Sequence, residues 1–460
     1  MSLYPKAKSL LENLQEPGFQ NTIKDLHKKN MARSQLAEMA KTMPHAHPLA
    51  LRIFKRGFAS ECTNSTQNLS SPEGISKGIL ESFLEDARKT EGFVVFDQNL
   101  KSFYETLRLH QAQFPNLCFE YEATEGTKTL ESLLPILNQL SQAPPPKSIW
   151  AVGGGITCDV TGFLAGLLDL PVHYGITTVL AGVDAGVGGK NGVNWAQTKN
   201  LLGLIVPPAS QTLLANTLVT LPHLQILCGL GEALKHNYLW KIDPREEIQF
   251  SELVTYLELN HAKETHPFPM ESLCQLALTH SSRKLELVIL DPNELHLRKL
   301  LNLGHTVGHV LESLGEMGHL QQPIPHGLAV LYGMRFLTLS GRINPPMKWL
   351  DFCNRLIQRS RQLKIELRLS ENSDSLSQLT HTVAQLLGSD KKREKKEIAS
   401  SSIPLICPVF GVCSQLPCTE STSKLHFYTS WMGNQTLHVP LPQLTQEIIG
   451  FVQQQGNNLT

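Results

Sequence analysis

The sequence predicts an α/β N-terminal domain joined to an all-α C-terminal domain, behind a helical N-terminal extension. Three observations carry this expectation. From Phe93 onward, short β-branched or aromatic runs alternate with helical segments, the signature of strands joined by crossover helices. The triple glycine Gly153-Gly154-Gly155 stands where one such strand gives way to a helix. Beyond about Leu221 the β pattern fades and long helical stretches follow. The 460 residues suit two or three compact units, placed here at 1–70 (extension and linker), 71–222 (the α/β domain) and 223–460 (the helical domain).

The extension carries a partial apolar face, Ile23, Leu26, Leu36 and Met39, that predicts a helix over about Asn21 to Met43. A Ser, Thr and Asn-rich linker follows from Ser60 to Glu73. In the α/β domain, Phe93-Val94-Val95-Phe96, Cys118-Phe119-Glu120-Tyr121 and Ile149-Trp150-Ala151-Val152 read as strands. Thr129 to Leu140 reads as a helix, and Ala143-Pro144-Pro145-Pro146 as a break. Ligands bind at the carboxyl ends of parallel strands, which is where Asp97 and Gly153 sit. In the helical domain the long stretches are Gly231 to Trp240, Met270 to Ile289 and His305 to Leu314.

Composition excludes several classes of partner. The 41 basic and 41 acidic side chains cancel, so no overall charge draws the chain toward nucleic acid or an anionic membrane surface. No stretch reaches the roughly 20 apolar residues of a membrane span, because Asp169 and Arg335 interrupt the best candidates. Residues 1–58 hold ten Lys or Arg against four acids and lack the apolar core of a secretory signal. The nine cysteines include no CxxC pair, and the cluster Cys407, Cys413 and Cys418 matches no common zinc spacing. Reduced thiols in a cytoplasmic protein with a small-molecule ligand are the expectation.

The chemistry concentrates in a few motifs. In Gly153-Gly154-Gly155-Ile156-Thr157-Cys158-Asp159 the backbone N–H groups at a helix start can approach a pyrophosphate. This is not the GxGxxG spacing, and a tight turn would use the same glycines. The loop Asp184-Ala185-Gly186-Val187-Gly188-Gly189-Lys190-Asn191-Gly192-Val193-Asn194, followed by Lys199-Asn200, offers lysines and amides to an anion. Glu232 and Lys235 share a helix face at i,i+3, by default an exposed ion pair. His305 and His309 at i,i+4 have the spacing that zinc sites often use. His326 is the other candidate, and spacing leaves open which of His309 and His326 a metal takes. Glu294, Arg298 and Asn302 are four apart and share a face if their segment is helical; Lys284 precedes them. Asp390-Lys391-Lys392 opens a charge run that is either a solvated loop or a phosphate clamp.

In this order and at these separations the motifs resemble the 3-dehydroquinate synthase family, within the sugar phosphate cyclases of dehydroquinate-synthase-like fold. The likeness runs from about Phe93 to Lys392. The resemblance implies an NAD-binding α/β domain and an all-α metal-binding domain. It implies zinc (or cobalt) on Glu232, His305 and His326, and NAD among Asp97, Glu125, Lys128, Gly154, Gly155, Asp159, Thr177, Thr178 and Lys199. Asp184, Lys190, Asn200, Lys235, Lys284, Arg298, Asn302 and one of Lys391 or Lys392 would meet the sugar phosphate substrate, with Lys190, Lys235 and Lys284 among the catalytic groups. Glu294 and His309 match the family's proton-relay pair. Implied with these are a cytoplasmic homodimer and a carbon–oxygen lyase that turns 3-deoxy-D-arabino-heptulosonate 7-phosphate into 3-dehydroquinate and phosphate.

Leu170-Pro171 stands where the family has Arg-Gly, an arginine that reaches the neighbouring subunit's substrate phosphate. Ile176 replaces a proline, and His326-Gly327-Leu328 replaces HGE. An insertion is expected within 396–424, between the DKK triplet and the closing strand. These departures keep two alternatives open: a cyclase acting on a sedoheptulose phosphate, and a non-catalytic NAD-binding scaffold.

Overall fold

The computed structural model describes residues 79–460 apart from 102–104, 196–197, 241–243, 260–268, 292–293, 295–296, 371–375, 389–401, 407–435 and 458–460. The expected helix at Asn21 to Met43, the linker, Asp390-Lys391-Lys392 and the Cys407, Cys413 and Cys418 cluster therefore lie outside the described residues. Those described fall into two compact units, one before and one after the Leu221–Pro222 junction.

In the first unit, α1 (Ile79–Lys89) leads into β1 (Gly92–Asp97), α2 (Gln98–Lys101), α3 (Glu105–Gln113), β2 (Cys118–Tyr121), α4 (Leu133–Gln142) and β3 (Ser148–Gly153). Then come α5 (Gly155–Leu168), β4 (Val172–Ile176), β5 (Lys190–Trp195), β6 (Thr198–Ile205) and β7 (Ser210–Leu213). Five strands form a parallel sheet in the order β2-β1-β3-β4-β7, while β5 and β6 pair antiparallel on their own. The middle strands are covered on both faces, which is why they read as unbroken apolar runs. Phe93, Val95, Ile149 and Ala151 pack on α4 and α5, whereas Val94, Phe96, Trp150 and Val152 pack on α1. From α1 this second layer takes Leu80, Phe83, Leu84 and Ala87, a stripe at i, i+3, i+4 and i+7.

One expected element starts late. The helix expected from Thr129 begins at Leu133, because Thr129 forms a β-bridge with Asn194 and the Ser132 hydroxyl bonds back to the Thr129 carbonyl at 2.7 Å. Ser and Thr readily make such local bonds in place of helical ones.

Among its described residues the second unit is helical apart from one strand pair and a β-bridge between Leu320 and Leu369. It comprises α6 (His223–Leu239), α7 (Pro244–Leu259), α8 (Met270–Leu290), α9 (His305–Glu316), α10 (His326–Leu339), α11 (Met347–Gln362), α12 (Leu376–Gly388), β8 (Ser402–Ile406), β9 (Thr436–Pro440) and α13 (Leu441–Asn457). Strands β8 and β9 pair antiparallel, Ser402 opposite Pro440. Of the insertion expected at 396–424, the described residues include only 402–406, which form β8.

Glycines set how closely the helices of this unit cross. A Cβ on Gly327 of α10 would fall 1.9 Å from the Cys228 carbonyl oxygen of α6, and one on Gly231 would fall 2.4 Å from the Gly327 carbonyl oxygen. On the other side of α10, a Cβ on Gly333 would fall 2.1 Å from the carbonyl oxygen of Gly304, just before α9. Helix α10 is thus held backbone to backbone against both neighbours.

Among the described residues, Cys118, Cys158, Cys228, Cys274 and Cys353 are buried thiols outside any disulfide. Burial pushes the Cys228 and Cys353 thiols up to about 12, so they are inert at neutral pH. No helix among the described residues is long and apolar enough to cross a membrane.

Three histidines predict a pH dependence. Burial lowers the pKa of His110, of His173 stacked on Trp150 at 4.1 Å, and most of all of His280, where Arg283 and Lys235 add repulsion. The unfolded chain binds more protons between these lowered values and the ordinary ~6.5, so stability is full above that pH and declines as pH falls below it. The denaturant midpoint is expected to drop between pH 7 and 5.5, and to drop less in His280→Phe. An identical slope in that variant would remove His280 from the account.

Candidate functional site

In the first unit the chain leaves β1 toward β2 on one side and returns to β3 on the other, which opens a crevice between the carboxyl ends of β1 and β3. Asp97 closes β1, and its Oδ1 accepts from the Asn99 N–H at 2.9 Å and the Asn99 amide at 3.0 Å. Burial raises its pKa, and these two bonds oppose the rise. Gly153 closes β3, and α5 opens on Gly154 with neither a side-chain cap nor an acidic residue in its first turn. The first-turn N–H groups therefore have no side-chain acceptor, the arrangement that suits an anion. The glycines also have a packing reason: a Cβ on Gly153 would fall 2.4 Å from the Thr157 hydroxyl, and one on Gly155 2.9 Å from the Ala185 Cβ.

Thr177 and Thr178 follow β4 directly. The Thr177 N–H donates to the Gly153 carbonyl at 3.1 Å, and the Thr178 hydroxyl accepts from the Ala181 N–H at 3.1 Å. Lys128 is buried and ion-paired with Asp159 on α5. Burial raises the Asp159 pKa, with Lys128 opposing and Glu125 and Asp184 adding to the rise, so these acids share one electrostatic neighbourhood. Glu125 accepts from the Asn194 amide at 3.0 Å, and Asn194 in turn accepts from the Asn200 N–H at 2.9 Å. Asn200 has φ +50°, with half-buried Lys199 before it. Lys190 is exposed at the start of β5. Asn194, quoted in the loop motif without a role, is the link between Glu125 and Asn200.

In the second unit, Glu232 and Lys235 form an ion pair, but with both side chains fully buried rather than exposed. Burying two charges costs several kcal/mol per ion unless every polar atom is met. Lys235 meets Glu232 Oε1, whereas Oε2 is buried without a hydrogen-bond partner. His305 opens α9 after Gly304, whose φ of +76° turns the chain into the helix. Its Nδ1 donates to the Leu303 carbonyl at 3.1 Å, which places the ring's lone pair on Nε2, 3.8 Å from Glu232 Oε1. His326 opens α10, and its Nδ1 donates to Glu312 Oε2 at 3.1 Å, again leaving Nε2.

One ligand atom each from Glu232, His305 and His326 lies within 4.8 Å of the others. Two imidazoles, each anchored through Nδ1, and one carboxylate make a donor set suited to zinc and similar borderline ions. The orphaned Glu232 oxygen fits a bound cation. His309 is near as well, its ring 5.6 Å from His305 and 6.0 Å from His326. Sequence reasoning missed Glu312, whose signal is its place on α9, seven residues after His305 on the same helical face.

The expected helical row is corrected. Leu297–Asn302 is a 3-10 helix, and Glu294 lies before it in a left-handed conformation with φ +55°. At three residues per turn Arg298 and Asn302 do not share a face. The left-handed turn nevertheless brings Glu294 Oε1 to the Asn302 amide at 2.6 Å. Arg298 is 2% exposed, its backbone N–H held by Asp291 Oδ2 at 3.0 Å. Lys284 is buried on α8. Leu170, after the left-handed Asp169 that ends α5, packs against the core of its unit.

The family model for the 3-dehydroquinate synthase N-terminal region matches residues 118–228, and the model for the C-terminal region matches 229–393. The 3-dehydroquinate synthase of Chlamydia abortus is 30% identical over 300 residues, 63% of this chain and 75% of that protein. Its counterpart in Synechocystis is 32% identical over 370 residues, 78% of this chain and 92% of that protein. A solved 2-deoxy-scyllo-inosose synthase, complexed with carbaglucose-6-phosphate, NAD+ and Co2+, shares the fold with a TM-score of 0.57 at 20% identity, over 81% of this chain and 95% of that one. With both halves of the family pattern matched in sequence across the α/β sheet and the helical unit, the chain belongs to the 3-dehydroquinate synthase family.

Proposed function

We propose that the chain converts 3-deoxy-D-arabino-heptulosonate 7-phosphate into 3-dehydroquinate and phosphate, using NAD and a divalent ion. The observation that carries the reading is the buried Glu232 with an unpartnered oxygen beside His305 and His326, all within the family's matched region. NAD supplies reversible hydride transfer and the divalent ion Lewis acidity toward substrate hydroxyls. Glu232, His305 and His326 hold the ion. Asp97, Glu125, Lys128, Gly154, Gly155, Asp159, Thr177, Thr178 and Lys199 form the NAD side, the pyrophosphate taking the first-turn N–H groups of α5.

The substrate is a polyanion, and Lys190, Lys235, Lys284, Arg298 and one of Lys391 or Lys392 supply the cations that hold it. Asp184, Asn200 and Asn302 orient its hydroxyls. Glu294, fixed by Asn302, and His309 carry the proton that leaves the carbon beside the oxidised hydroxyl. Orienting a flexible seven-carbon chain lowers the entropic part of the barrier. A cytoplasmic homodimer belongs to the same reading.

Leu170 favours a second reading, a cyclase for another sugar phosphate, since an apolar core contact stands where the family's phosphate-binding arginine would be. Phosphate release with NAD and Zn2+ decides between them: release from the heptulosonate phosphate supports the synthase, release from sedoheptulose 7-phosphate alone the second reading. Release from neither, with NAD still bound, makes the chain a scaffold. For the synthase, Leu170→Arg with Pro171→Gly is expected to lower the Michaelis constant roughly tenfold, about 1.4 kcal/mol. An unchanged constant would show that this position does not meet the phosphate.

A further inference from the structure

The second unit presents two overlapping sets of ligand atoms. Besides Glu232, His305 and His326, one atom each from His309, Glu312 and His326 also lies within 4.8 Å of the others. We propose that His309, Glu312 and His326 form a second, weaker divalent-cation site that shares His326 with the first; this rests on the reading of the first trio as the metal site.

His305, His309 and Glu312 stand at i, i+4 and i+7 on α9, so one helical face offers ligands to both loci. The two nitrogens of His326 serve different sides. Its Nδ1 faces Glu312 Oε2 at 3.1 Å, so a cation held by His309 and Glu312 meets Nδ1, while the first locus takes Nε2. The nitrogen and carboxylate donors are again those of borderline divalent ions. Glu312 is buried, whereas His309 and His326 are only half-buried, which gives the second locus an open side.

The order of affinities follows from what each ion displaces. At the first locus Glu232 Oε2 has no protein partner to lose. At the second, the ion must replace the proton that His326 Nδ1 shares with Glu312, and that proton passes to solvent. Giving up such an anchoring bond, beside a cation already on the same ring, makes the second site weaker by on the order of a hundredfold. An ion there also occupies His309, so excess cation is expected to inhibit.

Calorimetric titration of the metal-free full chain with Zn2+, with bound ions counted after dialysis, tests this. The wild type is expected to hold one tight and one weak ion. His309→Ala and Glu312→Gln are each expected to lose the weak ion, and His309→Ala to keep the tight one. A single ion at every Zn2+ concentration, or a weak ion persisting in both variants, would overturn the second site. Loss of the tight ion in His309→Ala with its retention in Glu232→Gln would overturn the assignment of the first trio and the order of affinities, while leaving the count of two.

Discussion

Replacing His326 with alanine is expected to strip the tightly held divalent ion from the protein, with at least a hundredfold loss of affinity. Loss of an anchoring partner alone costs about 10–100-fold, and here an entire ligand goes. The remaining ligands, Glu232 and His305, leave two protein donors, below the three that catalytic zinc sites keep. His309→Ala should hold its tight ion, because Glu232, His305 and His326 already bring three ligand atoms within 4.8 Å of one another without it. Competition against a chromophoric chelator measures both variants. The opposite pattern would give His309 the ligand role that the sequence spacing had left open.

Gly327→Ala is the second change expected to act strongly, although it adds a single methyl group. The new Cβ would lie 1.9 Å from the Cys228 carbonyl oxygen and 2.6 Å from its carbonyl carbon, and backbone of a packed helix cannot swing away as a long side chain does. Helices α6 and α10 must separate, with a stability loss on the order of 3 kcal/mol. His326 precedes this residue and Glu232 follows Gly231, so the metal trio should open with the helices. Gly450→Ala in α13 serves as the control, since its Cβ meets nothing within 4 Å and alanine is the better helix former. Equal denaturant midpoints for the two variants would contradict the close crossing.

What the sequence made legible follows from what each residue depends on. Strands β1, β2 and β3 were readable because burial is written into consecutive residues such as Phe93-Val94-Val95-Phe96. The helix start at Gly154 and the histidine pair at His305 and His309 were readable because both are local spacings. The meeting of Glu294 with Asn302 was not, since it depends on a left-handed residue that no helical period predicts. Nor was the partnership of His326 with Glu312, which joins two helices across fourteen positions. The burial of Glu232 and Lys235 was equally hidden: i,i+3 spacing is the same on a wet face and a dry one. The role of Gly231 and Gly327 is a property of two helices at once.

Helix α1 bounds how far the chain can be shortened. Leu80, Phe83, Leu84 and Ala87 pack on one face of the parallel sheet, and Phe83 meets the Trp150 ring edge-on at 4.8 Å. Without this helix, Val94, Phe96, Trp150 and Val152 would present an apolar surface to water, the kind of patch through which chains stick to one another. A trimmed version made for crystallisation or display must therefore keep the helix from Ile79 onward, since a start inside it trades a tidy terminus for an insoluble protein.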